Sequence, residues 1–216
     1  MKNELIKRIF SSIFLLPIVI FIIFKGEFYF NIFLIICLII SFYEWNYIVK
    51  KNFFKTLGFL FLIISFYSIY RLRNESNVDY VYIYFVLIIS VATDLGGYIF
   101  GKIFKGPKLT KISPNKTYSG VLGSYFISFI LSSIYFYFFK HYFIKNSFIE
   151  ILIIVFLIST ISQLGDLTLS YFKRLSNLKD TGNLIPGHGG ILDRIDGIIF
   201  AFPAFYFLTF INIFKQ

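Results

Sequence analysis

Four aspartates interrupt long apolar runs in this chain. Asp94 follows the run Tyr80–Thr93, Asp166 follows Ile151–Gly165, and Asp193 and Asp196 open the last apolar stretch. An ionisable side chain at the centre of a membrane helix costs about 2.5–3.5 kcal/mol on insertion scales, so acids placed there are functional candidates by default. Carboxylates gathered at one depth suit a divalent cation: Mg²⁺ prefers hard oxygen ligands, commonly one or two carboxylates plus substrate phosphates. The plainer alternative pairs each acid with a nearby Lys or Arg at the wet interface. Asp193 and Asp196 are three residues apart and fall on one helical face, with Arg194 projecting from another side. Glu44 and Glu150 stand near the ends of apolar runs with no polar motif around them, and read as interfacial acids.

The segment before the last apolar run carries the densest chemistry. It holds Ser170, Lys173 and Arg174, then Lys179-Asp180, then Pro186-Gly187-His188-Gly189-Gly190, then Asp193-Arg194-Ile195-Asp196. Glycines let backbone N–H groups come close to a phosphate, and adjacent cations neutralise its charge. Carboxylates directly after such a loop can hold the metal that bridges those phosphates. Cations, glycines and acids in this order are the parts of a phosphoryl- or nucleotidyl-transfer site. His188 has no second His or Cys at a useful spacing for metal binding, which leaves a phosphate hydrogen bond or a loop-shaping role. A second segment repeats the theme: Asp94-Leu95-Gly96-Gly97-Tyr98 leads through Lys102 to Ser113, Lys116 and Thr117. These three suit phosphate or nucleotide. Equally, Pro114 marks a turn, Thr117 a helix cap, and the lysines an ordinary cytoplasmic loop. Spacing alone does not rank the two.

The elements that position these residues are membrane helices. Of the 216 residues 57% are hydrophobic, 22% aromatic and only 15% charged, against about a quarter charged in soluble domains. Apolar runs of helix-spanning length predict an all-α, polytopic integral membrane bundle of about seven transmembrane helices, at 6–24, 28–49, 54–71, 79–101, 119–139, 147–169 and 193–214. One membrane domain, 1–216, is expected, with polar loops at 102–118 and 170–192. Lys2, Lys7 and Arg8 precede the first run, which ends in Phe24-Lys25-Gly26-Glu27 without a small-residue cleavage site, so an uncleaved first span is expected. Most Lys and Arg fall on one side if the N-terminus is cytoplasmic, and the positive-inside rule then places both polar loops there too. The net charge of +10 reflects that bias rather than nucleic-acid binding. Cys37, the single cysteine, permits no intrachain disulfide and reads as a small hydrophobe.

The stretch 170–196 resembles the signature of the phosphatidate cytidylyltransferases, or CDP-diacylglycerol synthases, through Ser170, Lys173, Arg174, Lys179, Asp180, Pro186, Gly187, His188, Gly189, Gly190, Asp193, Arg194 and Asp196. Gly165-Asp166-Leu167 is similar to the family's Gly-Asp-Leu, 94–98 to its Asp-Thr-Gly-Ala-Tyr, and 113–120 to its Ser-Pro-Lys-Lys-Thr-x-Glu-Gly. Leu95, Gly97, Asn115, Ser119 and Leu169 depart from those patterns. The resemblance implies transfer of CMP from CTP to phosphatidic acid, with release of pyrophosphate, at a bacterial-type inner membrane. It implies Mg²⁺, with room for a second cation, held by Asp166, Asp193 and Asp196. Catalytic roles would fall to Asp166, Lys173, Arg174, Lys179, Asp180, His188, Asp193, Arg194 and Asp196. Substrate contacts would fall to Asp94, Ser113, Lys116, Thr117, Ser170, Gly187, Gly189 and Gly190. The partners implied are CTP, phosphatidic acid and the bilayer; a homodimer is one admissible assembly. A CTP-using lipid-alcohol kinase is the nearest rival. The Asp-Gly-x₂-Ala-Arg pattern of CDP-alcohol phosphotransferases is absent, and so is the internal symmetry of a carrier with paired broken helices.

Overall fold

The computed structural model describes residues 17–74, 80–143, 146–184 and 189–210. A helical segment at 17–25 is followed by α1 (Glu27–Ile48), α2 (Asn52–Asn74), α3 (Val81–Phe104), α4 (Tyr118–Phe138), α5 (Phe148–Leu175), the short α6 (Leu192–Ile195) and α7 (Ile198–Phe210). Among the described residues the regular structure is helical, with an isolated antiparallel bridge between Lys108 and Thr117. The chain is therefore all-α. Among the described residues five helices, α1 to α5, are long and apolar enough to cross a membrane.

Most of the first expected span, 6–24, lies outside the described residues. The last, 193–214, is divided: α6 carries Asp193 and Arg194, a turn follows at Asp196-Gly197, and α7 begins at Ile198. The 13 residues of α7 reach about 20 Å at 1.5 Å per residue, short of a hydrocarbon core of about 30 Å.

The loop boundaries also move. The polar run 170–192 was expected to be a loop, but α5 continues to Leu175, so Ser170, Lys173 and Arg174 are helical. The apolar side of that last turn explains the extension: Leu169 is buried, and Phe172 packs its ring edge-on against Trp45 at 5.0 Å. The second loop is 105–117 rather than 102–118.

Packing follows two rules. Large apolar side chains such as Phe28, Tyr43, Phe53, Ile103, Leu122 and Tyr137 stay exposed along the outer faces, as a lipid-facing surface requires. Where α3 and α4 meet, residues are small. A Cβ on Gly96 would lie 2.3 Å from the Gly123 carbonyl oxygen, and one on Gly123 would lie 2.2 Å from Phe100 Cβ. Close backbone approach of this kind is how membrane helices gain packing contact without a hydrophobic driving force. The pair α3–α4 is the most extensive helix contact among the described residues. Ser124, Ser128 and Ser132 continue the small-residue stripe along the buried side of α4.

Contacts define two ends. At one, Ser176 Oγ donates to the Ile48 carbonyl, Trp45 Nε1 donates to the Lys55 carbonyl at 3.2 Å, and Lys116 pairs with Asp166. At the other, Tyr84 Oη donates to the Ile20 carbonyl at 2.9 Å, Arg73 Nε to the Ile23 carbonyl at 3.1 Å, and Tyr135 Oη to the Val81 carbonyl at 2.9 Å. Both polar loops lie at the first end.

Candidate active site

Two polar clusters occupy that end. The first is an open cleft of about 310 Å³, near the lower limit for small-molecule sites. Asp94 and Gly97 from α3, Ser113, Asn115, Lys116 and Thr117 from the loop, and Gln163 and Asp166 from α5 line it. The loop reaches the cleft because it folds back on itself: Leu109 N donates to the Lys116 carbonyl at 2.8 Å and Tyr118 N to the Pro107 carbonyl at 3.2 Å. Lys116 Nζ then sits 2.6 Å from Asp166 Oδ2, each side chain about a quarter exposed. Ser170 Oγ, one turn further along α5, donates to Asp166 Oδ1 at 3.3 Å. Thr117 is the N-cap of α4, its Oγ1 accepting from Gly120 N at 3.1 Å.

Asp196 lies behind the cleft rather than on its wall. The charges of Asp94 and Asp166 reach it, and Lys116 and Arg194 are the opposing cations around Asp94. The structure thus brings Asp94, Asp166 and Asp196 into one electrostatic neighbourhood. Among the described residues, no three His, Cys, Asp or Glu side chains stand together as a ready-made metal cage.

The second cluster is buried and closed. Asp193 Oδ1 accepts from Lys173 Nζ at 2.8 Å, with 3% and 11% of the two side chains exposed. Its Oδ2 accepts from the backbone N–H of Thr181 at 2.7 Å and of Gly190 at 3.0 Å. Burial pushes the Asp193 carboxyl up, but the Lys173 ammonium and the N–H groups of Gly190 and Thr181 outweigh it and hold the acid below the usual carboxylate range. Beside Asp193 lies Glu44 of α1, only 3% exposed. Its Oε1 accepts from Ile191 N at 2.8 Å, and its Oε2 from Leu192 N at 2.8 Å and from Thr181 Oγ1 at 2.7 Å.

Asp193 and Asp196, expected on one helical face, therefore engage different partners. Asp193 belongs to the closed cluster, whereas Asp196 accepts from Gly197 N at 2.9 Å and lies within reach of the charges of Asp94, Asp166 and Lys173. Lys173 is likewise internal, whereas Arg174, Lys179, Asp180 and Arg194 are exposed. Arg174 Nη1 donates to the Leu178 carbonyl at 3.1 Å. Gly190 was expected to let an amide approach phosphate. Here its N–H is bound to Asp193, and a Cβ in its place would lie 2.2 Å from Thr181 Oγ1 and 2.4 Å from Glu44 Oε2. Gly189 adopts φ +86°, in the region that favours glycine. Pro186, Gly187 and His188 lie outside the described residues.

Glu44 corrects the interfacial reading of that residue. Glu150 does fit it: with Ser147 it forms a capping box at the start of α5.

Residues 52–212 match the model of the cytidylyltransferase family. A phosphatidate cytidylyltransferase of Rickettsia typhi is 37% identical over 214 residues, covering 95% of this chain and 92% of that protein. One from Rickettsia bellii is 36% identical over 215 residues, with 96% and 92% covered. One from Bacillus subtilis is 37% identical over 156 residues, which cover 72% of this chain and 57% of that longer protein.

Proposed function

The chain belongs to the cytidylyltransferase family, and we propose that it joins CTP to phosphatidic acid in the membrane, forming CDP-diacylglycerol and pyrophosphate. A phosphate oxygen of phosphatidate attacks the α-phosphorus of CTP; the bond to the bridging oxygen breaks and pyrophosphate leaves. No enzyme nucleophile is needed, because the attacking phosphate is already an anion at neutral pH. The protein's task is to hold two polyanions together and offset the charge that builds at the phosphorus.

The observation that carries this reading is the cleft where Asp94, Asp166 and Lys116 converge beside the signature segment. Its acidic donors are all carboxylate oxygens, which suits Mg²⁺ held partly by the protein and partly by substrate phosphates. Asp166 would be the central ligand, with Asp196 and Asp94 completing the carboxylate set. Asp193, the third acid expected to bind metal, would have to release Lys173 to join them. A bound Mg²⁺ would neutralise the triphosphate and favour attack at its α-phosphorus.

Lys116, paired with Asp166, is placed to turn toward phosphate when substrate enters, with Ser113 and Thr117 along the same wall. Arg174, Lys179, Asp180 and Arg194 are exposed at the same end of the bundle, where the three cations would add positive charge for the substrates. The lipid's acyl chains remain in the bilayer. CTP enters from the cytoplasm, which fixes the loop end of the bundle as the cytoplasmic face of an inner membrane. On that arrangement a first span at 6–24 puts the N-terminus in the cytoplasm and brings the total to six, and a seventh would need the last expected stretch to extend past the 13 residues of α7.

Incubating the purified protein in phosphatidate-containing micelles with labelled CTP and Mg²⁺ tests the assignment. CDP-diacylglycerol and pyrophosphate are expected in equal amounts. CDP without CDP-diacylglycerol would instead identify a γ-phosphate transfer and end this reading.

A further inference from the structure

We infer that Glu44 is a positioning residue for the reaction, holding the signature loop in its working register from a helix that precedes the residues matched by the family model; this rests on the function proposed above. Glu44 lies eight residues before the matched region begins at Asn52. Its carboxylate is nonetheless the common acceptor for three donors of the loop: the amides of Ile191 and Leu192 and the hydroxyl of Thr181. Those amides open α6, which carries Asp193 and leads directly to Asp196.

The loop is moulded on this side chain. At Gly190 a methyl group would collide with Glu44 Oε2 at 2.4 Å, and at Gly182 it would come within 3.3 Å of Glu44 Oε1. Thr181 Oγ1 lies 2.7 Å from Glu44 and 3.0 Å from Asp193 Oδ2, so one hydroxyl links the two carboxylates. The chain of contacts runs Glu44, Thr181, Asp193, Lys173, joining α1 to α5 through the loop. Without the Glu44 carboxylate, the buried N–H of Leu192 and the half-buried N–H of Ile191 lose their acceptor, and the turn bearing Asp193 and Asp196 is free to shift. Small displacements of reacting groups are enough to lower turnover about a hundredfold.

The test compares Glu44→Gln, Glu44→Ala and the control Glu150→Gln, with kcat and KM expressed per folded enzyme. Glu44→Ala is expected to lower kcat about a hundredfold. The isosteric Glu44→Gln keeps one acceptor and should recover part of that, to about tenfold below the parent. KM for CTP should stay within about threefold for both, because the residue does not touch substrate. Glu150→Gln should turn over normally. Adding Thr181→Val to Glu44→Gln should bring little further loss, since both act through one network. A purely structural Glu44 predicts less folded protein but parental kcat per folded molecule, and that result would overturn the inference. Hydrogen exchange on the unmutated protein gives a check that needs no variant: the amides of Ile191 and Leu192 should be protected, and rapid exchange there would also overturn it. A parent protein that makes no CDP-diacylglycerol would remove the proposed reaction, and this inference with it. An active parent with an equally active Glu44→Ala would remove this inference alone.

Discussion

Asp166 and Asp193 differ in what surrounds them, and substitution should separate their roles. Asp193 is buried with Lys173, and breaking such a pair by removing one charge costs about 3–5 kcal/mol. Asp193→Asn is therefore expected to lower thermal stability in detergent as well as activity, whereas Asp193→Asn with Lys173→Met should regain stability without regaining turnover. Unchanged stability in the single variant would contradict the anchoring role. The pH dependence has a definite sign. Because the folded pKa of Asp193 lies below its unfolded value, its contribution is complete above the ordinary aspartate range. That contribution is lost as pH falls through the lowered value. Asp166 sits in the open cleft in a partly exposed pair worth about 0–1 kcal/mol. Asp166→Asn should leave the melting temperature nearly unchanged while lowering kcat about a hundredfold or more; near-normal kcat would remove Asp166 from the site. The acids in apolar runs were legible in the sequence because a charge there has no cheap structural explanation. Glu44 was not: its partners lie 137, 147 and 148 residues away, and no other charged residue stands near it in the chain.

At the level of elements, hydropathy located α1 to α5 but misplaced where α5 ends. Ser170, Lys173 and Arg174 lower the apolar average, yet a helix continues as long as one of its faces is buried. Asp166, Ser170 and Lys173, at successive turns, form a polar stripe flanked by Leu169 and Phe172. The stripe delivers one acid to the open cleft and one cation to the closed cluster, a division that a loop would not fix. The glycines divide in the same way. Gly190 gives way to the protein's own carboxylate, and Gly96 and Gly123 let α3 and α4 meet backbone to backbone. That helix contact holds Asp94 and the start of the Lys116 loop's return strand of chain at a fixed separation. Gly123→Ala would force its methyl into Phe100, and overpacking of this kind costs about 1–3 kcal/mol. A lower melting temperature in detergent is expected, together with weaker CTP binding. A variant as stable as the parent would show that the two helices do not approach so closely.

For the molecule as a whole, the separation of its ends decides how an enzyme of a soluble nucleotide and a membrane lipid can work. The end bearing both loops carries Lys50, Lys51, Lys55, Lys102, Lys105, Lys108, Lys111, Lys116, Lys173, Arg174, Lys179 and Arg194; the other carries Lys25, Arg71, Arg73 and Lys140 among the described residues. Such an imbalance orients a polytopic protein with its basic end in the cytoplasm, and anionic headgroups of that leaflet reinforce it. One of these cations, Lys116, lines the cleft, and the rest share its end of the bundle, where their charge would draw CTP and phosphatidate. Charge bias was readable from the chain alone, but that Glu44, Lys116 and the signature segment share one end required the helices to be assembled. Orientation is testable by thiol labelling. Replacing Cys37 by Ala removes the native thiol, after which single cysteines at Lys179 and at His141 report the two ends. A membrane-impermeant maleimide should label His141→Cys in intact cells and Lys179→Cys only after permeabilisation. The reverse pattern would invert the topology and leave the cleft without CTP, and labelling of both positions in intact cells would mean that the two ends do not face opposite sides of the membrane.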